Sequence, residues 1–312
     1  MITRVALAGK GRFGSVVLDE VLMAGFKPTV LTRSASTIMG VSDGVPVYEV
    51  NYASEESLRE ALQGHDAVVS AVAGTAIASQ KPLINASIAA GVKHFIPADY
   101  AMSLKSTEVR ALPPYTDVKE IEDYLRARSA DIEWTIVACG GFLEYIYDLP
   151  FLIELDKRKI DIINEGDIPF SVSEFRTAAK AVAGVLQQPE RVFDHCVQVH
   201  AMTITQNGTF DIVRKYDPNP DDWTVNEEDA EVKFKQGMDM LQRGELTMAA
   251  VTTLMAGEIW GGRCKVAFEE TDNEWLGVQL ISHERLEKIL KSKVTKVLAA
   301  LLLTRLLAIT DC

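Results

Sequence analysis

The sequence predicts an α/β fold built on a doubly wound parallel sheet, with a smaller C-terminal lobe. Three observations predict it. A short apolar run, Arg4 to Ala8, meets a glycine-rich turn and then a stretch with apolar residues at helical spacing. Such runs and stretches keep alternating to about residue 140, and strands alternating with helices imply right-handed parallel crossovers. Ala67 to Val72 is apolar without polar alternation, as a strand covered by helices on both faces should be.

Each element follows in order. Arg4–Ala8 is the first strand, and Ser15 to Ala24 a helix that Gly25 ends. Lys27 to Arg33 is the second strand and Val45 to Val50 the third, beyond a loop rich in Ser and Gly. Ser54 is placed to cap a helix from Glu55 to Leu62, with Gly64 as its stop. After the strand at Ala67–Val72, a helix runs from about Gln80 to Ala90 and ends at Gly91. His94 to Pro97 is the fifth strand, followed by a loop from Ala98 to Met102. A helix from Thr116 to Arg128 and a strand from Trp134 to Ala138 complete the series.

Beyond Gly140 and Gly141 the regularity fades. Ile160 to Ile163, a helix from Glu174 to Leu186, and Cys196 to Val199 are expected to build a smaller lobe, some of them returning to the main sheet. Asp217 to Asp222 reads as a surface turn. The expected division is a nucleotide-binding domain over 1–150 and a substrate-binding lobe over 151–312, consistent with about 100–200 residues per domain.

Composition narrows the function. A hydrophobic fraction of 47% and a charged fraction of 24% are those of an ordinary globular chain. The net charge of -12, with no basic run interleaved with aromatics, repels a nucleic-acid backbone. Cys139, Cys196, Cys264 and Cys312 are scattered without a C-x-x-C pair, and the start of the chain lacks the plan of a signal peptide, so a cytoplasmic location is expected. The longest apolar stretch, Val297 to Ile309, is interrupted by Thr304 and Arg305; it reads as an amphipathic closing helix and not as a membrane span.

Gly9-Lys10-Gly11-Arg12-Phe13-Gly14 fits G-x-G-x-x-G between the first strand and the first helix. Gly9 permits the tight turn, Gly11 lets the backbone approach a pyrophosphate, and Gly14 allows contact between helix and strand. The phosphates would rest over the helix N-terminus, where unpaired N–H groups point outward. This is the dinucleotide turn of a Rossmann domain. An NAD site commonly ends its second strand with an acid for the ribose 2′-hydroxyl, whereas this chain has Arg33 followed by Ser34. A planar, permanently charged guanidinium suits a 2′-phosphate, and Lys10 and Arg12 add positive charge, so NADP(H) is the expected cofactor.

Tyr115 and Lys119 have Y-x-x-x-K spacing, which on a helix places both side chains on one face. An ammonium beside a phenol lowers the phenol's pKa and leaves it poised to protonate a carbonyl as hydride arrives. Pro113 and Pro114 put Tyr115 at the very start of the helix. From these segments, together with Val30 to Arg33, Gln80 to Pro97, Glu122 to Arg126 and Trp134 to Val137, the chain resembles the NmrA-like and isoflavone reductase-like branch of the atypical short-chain dehydrogenases/reductases.

The resemblance covers about the first 150 residues, and more loosely extends to about 215. It implies that Lys119 is the essential acid/base or substrate-polarising group, ranking above Tyr115, and that Arg33 is the family's arginine after the second strand. It also implies that Ser70, Ala71, Val72 and Ala73 pass along the cofactor, with Asp99 and Tyr100 beside the nicotinamide. The sequence departs from the family's loop at Ala8, where a glycine is usual, and at Lys10.

Phe142 and Tyr145 follow the sixth strand at the carboxyl edge of the sheet and are candidate walls of a pocket for an aromatic or polycyclic metabolite. His65, His94, His195, His200 and His283 show no ligand spacing, so no metal is expected. The expected activity is NADPH-dependent reduction of a small molecule in secondary metabolism, by a monomer or homodimer. Two alternatives stay open: an isomerase or cyclase using Asp99, Glu144 or Tyr115 for proton transfer, and an NmrA-like dinucleotide-sensing regulator.

Overall fold

A computed structural model describes residues 1–100, 110–148, 153–192 and 195–310, with 301–310 by backbone alone. Ala101 and Met102 of the expected loop, and Cys312, lie outside the described residues. The chain divides into two units, each assembled from three stretches of sequence. The first unit comprises 1–139, 173–200 and 269–279; the second comprises 140–172, 201–268 and 280–312.

The first unit is built on a six-stranded sheet in the order β3-β2-β1-β4-β5-β6. The strands are β1 (Arg4–Ala8), β2 (Lys27–Thr32), β3 (Val47–Glu49), β4 (Ala67–Ser70), β5 (His94–Ile96) and β6 (Glu133–Trp134), all parallel. β4 is buried along its whole length, which is why its sequence shows no alternation. Helices α1 (Arg12–Met23), α2 (Glu55–Leu62), α3 (Gln80–Ala89) and α4 (Thr116–Arg126) alternate with the strands. Ser54 caps α2, its hydroxyl accepting the Ser57 N–H. Leu58, Leu62, Leu83, Phe95, Ile121, Leu125 and Trp134 form the core between α2, α3, α4 and the sheet.

The expected strand Trp134–Ala138 is two strands. Thr135 still bonds the Phe95 carbonyl, but the Ile136 N–H turns to the His195 carbonyl at 2.8 Å. β7 (Ile136–Ala138) therefore pairs in parallel with β12 (Cys196–Gln198). Between them in sequence, α6 (Phe175–Gln187) returns to pack on α1, where Arg176 binds the buried Glu20 at 2.7 Å.

The second unit contains β8 (Gly141–Phe142), α5 (Leu143–Asp148), β9 (Ile153–Glu154), β10 (Lys159–Ile163) and β11 (Phe170–Ser173, whose last residue belongs to the first unit). It continues with β13 (Met202–Ile204), α7 (Gln206–Tyr216), β14 (Thr224–Glu228), α8 (Ala230–Gln242), α9 (Met248–Trp260) and α10 (His283–Thr310). Two small sheets result, β14-β10-β9 and β13-β11-β8. α8 and α9 meet through Gly237 and Gly257, where an added methyl would stand 2.5 Å from the Leu254 nitrogen or 2.4 Å from the Phe234 nitrogen. The expected closing helix Val297–Ile309 is the last part of α10. Among the described residues no helix is long and apolar enough to cross a membrane.

Candidate active site

The glycine turn is assembled by the ends of β1 and β4. Gly9 has φ of 95° and lies so close to the exit of β4 that a Cβ there would be 2.9 Å from the Ala71 carbonyl carbon and oxygen. Gly14 faces back into the turn, where a Cβ would come within 2.1 Å of the Gly9 oxygen. Gly11 is the opposite case, with nothing within 4 Å of the position its Cβ would take. Two glycines are thus spent on packing and one on leaving a backbone surface open. Gly11 is also the N-cap of α1 and, as a glycine, brings no side chain to cap it. An open backbone surface at a helix N-terminus whose cap is a glycine fits a dinucleotide's diphosphate in shape and in charge.

Beneath the turn lies an aromatic group drawn from three distant parts of the chain. Phe13 meets Tyr100 edge-on with ring centroids 4.5 Å apart, and Phe175 at 5.7 Å. The Arg12 guanidinium lies 5.6 Å from the Phe175 ring centroid. The Tyr100 hydroxyl donates to the Ser70 carbonyl at 2.9 Å, so the exits of β4 and β5 are joined directly; burial raises its pKa. Ala71 is held at the turn by its N–H bond to the Ala8 carbonyl at 2.7 Å. Val72 and Ala73 follow on the partly exposed path toward α3.

Asp99 is buried and its carboxylate is committed to Arg110 at 2.6 Å. Burial raises its pKa, with the Arg110 charge acting in the opposite direction. Arg110 also holds Glu122 of α4 at 2.9 Å, and Glu122 in turn binds Arg126. This ion-pair ladder ties the segment after β5 to the helix carrying Lys119. Gln80 completes the brace, its side-chain carbonyl accepting the Ala98 N–H at 2.7 Å.

Lys119 lies in the second turn of α4, its ammonium paired with Asp123 one turn on and 40% exposed. Tyr115 ends a 3-10 turn over Pro113–Tyr115 and immediately precedes α4, its backbone already in the right-handed helical region.

At the other end of the turn, Arg33 is exposed just beyond β2 and lines a recess of about 440 Å³ with Glu49, Val50, Asn51, Tyr52 and Ala53. The Tyr52 hydroxyl donates to the Leu31 carbonyl, and burial pushes its pKa up to about 12 against the lowering charge of Arg33. Ser34 is fixed by its N–H bond to Thr32 Oγ1 and a hydroxyl contact with Ser36. The Lys10 ammonium bonds the Met39 carbonyl at 2.7 Å and Ser15 Oγ at 3.3 Å, which spans from the glycine turn to the loop after β2.

The structure thus brings Gly9, Gly14, Phe13, Ser70, Ala71 and Tyr100 together. Phe142 and Tyr145 lie in the second unit, in an edge contact with centroids 5.8 Å apart. Arg110, Phe175, Gln80 and Glu49 join the site without any sequence signal that named them. Among the described residues no group of His, Cys, Asp and Glu could hold a metal ion.

Residues 8–146 match a family model described as NAD(P)H-binding. An oxidoreductase of Aspergillus flavus, aprR, is 31% identical over 225 residues, which is 71% of this chain and 75% of that one. Isoflavone reductase homolog A622 of Nicotiana glauca is 26% identical over 178 residues, 52% of this chain and 56% of that one. The solved structure of AtPrR2 with NADP+ and (+)pinoresinol superposes with a TM-score of 0.70 at 20% identity, covering 94% of this chain and 99% of that one. The open glycine turn belongs to this company: the chain is a member of the isoflavone reductase-like family of NAD(P)H-dependent oxidoreductases.

Proposed function

We propose that the protein is an NADP(H)-preferring reductase of a small aromatic or polycyclic metabolite. The observation that carries the cofactor half is the turn at Gly11, open and at the N-cap of α1; the exposed Arg33 beyond β2, a permanently charged planar donor, supports recognition of a 2′-phosphate. The substrate half is supported by relatives whose names specify aromatic polycyclic chemistry, isoflavone and pinoresinol-lariciresinol reductases among them. Fungal oxidoreductases similar to the chain agree with a role in secondary metabolism.

In this reading the pyrophosphate is held by Gly9, Lys10, Gly11, Arg12, Phe13 and Gly14, the 2′-phosphate by Arg33 and Ser34, and the remaining path runs over Ser70, Ala71, Val72 and Ala73. A bound NADPH supplies the hydride. Lys119 leaves Asp123 to polarise the substrate oxygen and hold the nicotinamide ribose, and Tyr115 gives its phenolic proton to that oxygen. Asp99 acts through its pair with Arg110, keeping Tyr100 and α4 in place, while the Tyr100 ring offers apolar surface to the substrate.

Absorbance at 340 nm with a panel of aromatic carbonyl and enone compounds tests the reading. NADPH consumption is expected with at least one of them. Lys119→Ala should lower turnover about 100-fold or more, while the lost ribose contact weakens NADPH far less, by about tenfold at most. Turnover unchanged in Lys119→Ala would remove the assigned role, and product formed without NADPH consumption would favour an isomerase.

A further inference from the structure

Glu49 ends β3, and the parallel register of β2 with β3 places it opposite Thr32, one residue before Arg33. Its carboxylate accepts the Ala35 N–H at 2.9 Å, two residues beyond Arg33. Arg33 and Glu49 line the same recess, so a guanidinium and a carboxylate share the place that the proposed reading assigns to the 2′ substituent of the adenosine ribose. Around them the turn is already furnished with donors, namely the Ser34 and Ser36 hydroxyls, 3.0 Å apart, and the Lys10 ammonium held on the neighbouring Met39 carbonyl. An anionic oxygen already occupies one of the backbone donors of this turn.

We infer that Glu49 is a built-in rival of the cofactor's 2′-phosphate, which sets the preference for NADPH over NADH below what Arg33 alone would give. The inference rests on the proposed role of Arg33. A phosphate monoester near neutral pH carries a charge of about -1.5 to -2, and it must share the Arg33 field with a carboxylate while competing for the same N–H. NADH brings only a hydroxyl and meets no such rival; a ribose hydroxyl can even donate to the carboxylate. The two cofactors should therefore respond oppositely, or at least unequally, to loss of the Glu49 charge. Because Glu49 is exposed, the effect belongs to the class that salt screens.

Glu49→Gln separates charge from architecture, since the amide oxygen can still accept the Ala35 N–H. Titration of the full chain with NADPH and with NADH, followed by tryptophan fluorescence, is to be compared for wild type, Glu49→Gln, Glu49→Ala and Arg33→Ala at low and high salt. Glu49→Gln should tighten NADPH about tenfold at low salt, leave NADH within about twofold, and lose most of the gain at high salt. Glu49→Ala should move the NADPH-to-NADH ratio in the same direction, even where a loosened turn weakens both. An unchanged ratio in Glu49→Gln, or an equal loss of both cofactors, overturns the inference. Arg33→Ala tells that failure from a failure of the underlying reading: a selective loss of NADPH keeps the 2′-phosphate site and condemns Glu49 alone, whereas equal losses of both cofactors condemn the site itself.

Discussion

Gly11 and Gly14 are three residues apart and ask opposite things of a side chain. A methyl on Gly14 would stand 2.1 Å from the Gly9 carbonyl oxygen, a backbone atom fixed by the turn, while a methyl on Gly11 meets nothing within 4 Å. Replacing glycine by alanine in a helix interior ordinarily gains up to about 1 kcal/mol. At Gly14 the clash outweighs that gain, and Gly14→Ala should destabilise the protein by about 1–3 kcal/mol. Gly11→Ala should cost less than about 1 kcal/mol in thermal unfolding, yet weaken dinucleotide binding about tenfold or more, because its methyl would occupy the diphosphate's side of the turn. Equal stability of Gly14→Ala and wild type would contradict this division of labour. The spacing of these glycines and the arginine at the end of β2 were legible in the sequence because both are local. Phe175 and Arg110 were not: the contacts each makes are with residues distant in sequence, and nothing at residue 175 announces that α6 will lie against α1.

At the scale of elements, the alternation of apolar runs and helical stretches is enough to specify the sheet, since a strand buried on both faces has to be apolar throughout. The break at Thr135 was hidden, because the backbone changes partner without any change in side-chain pattern. That break sits beside His94, whose ring bonds Thr135 Oγ1 at 2.9 Å, and near His195, which stacks on Trp134. Burial, with a smaller contribution from the His195 charge, pushes the pKa of His94 down to about 4. The folded state therefore holds His94 neutral where the unfolded chain, near 6.5, would already be protonated. Its stability is whole above pH ~6.5 and declines as the pH falls toward ~4, by about 3 kcal/mol from this group. Urea unfolding across that range should show the decline, and His94→Gln should flatten much of it. His65 and His200, whose pKa values burial also lowers, contribute to the remaining slope. An identical decline in His94→Gln would exclude His94 as its source.

The whole molecule carries a net charge of -12 and still presents cationic groups where a dinucleotide would lie, with Lys10 and Arg12 in the turn and Arg33 at its far end. Overall charge repels a nucleic-acid backbone while local charge admits a nucleotide, and only the placement of individual residues separates the two cases. Sequence order suggested a division near residue 150 with some later segments returning to the main sheet; 173–200 and 269–279 are the stretches that group with the first unit, and which ones return is set by tertiary pairing, β7 with β12 above all, which no local pattern encodes. The central claim is that the turn from Gly9 to Gly14 holds a dinucleotide. Its most direct test is calorimetric titration of the purified chain with NADPH. One saturable site per chain, with a dissociation constant on the order of micromolar and weaker binding of NADH, is the expected result; no saturable heat with either nucleotide would contradict it.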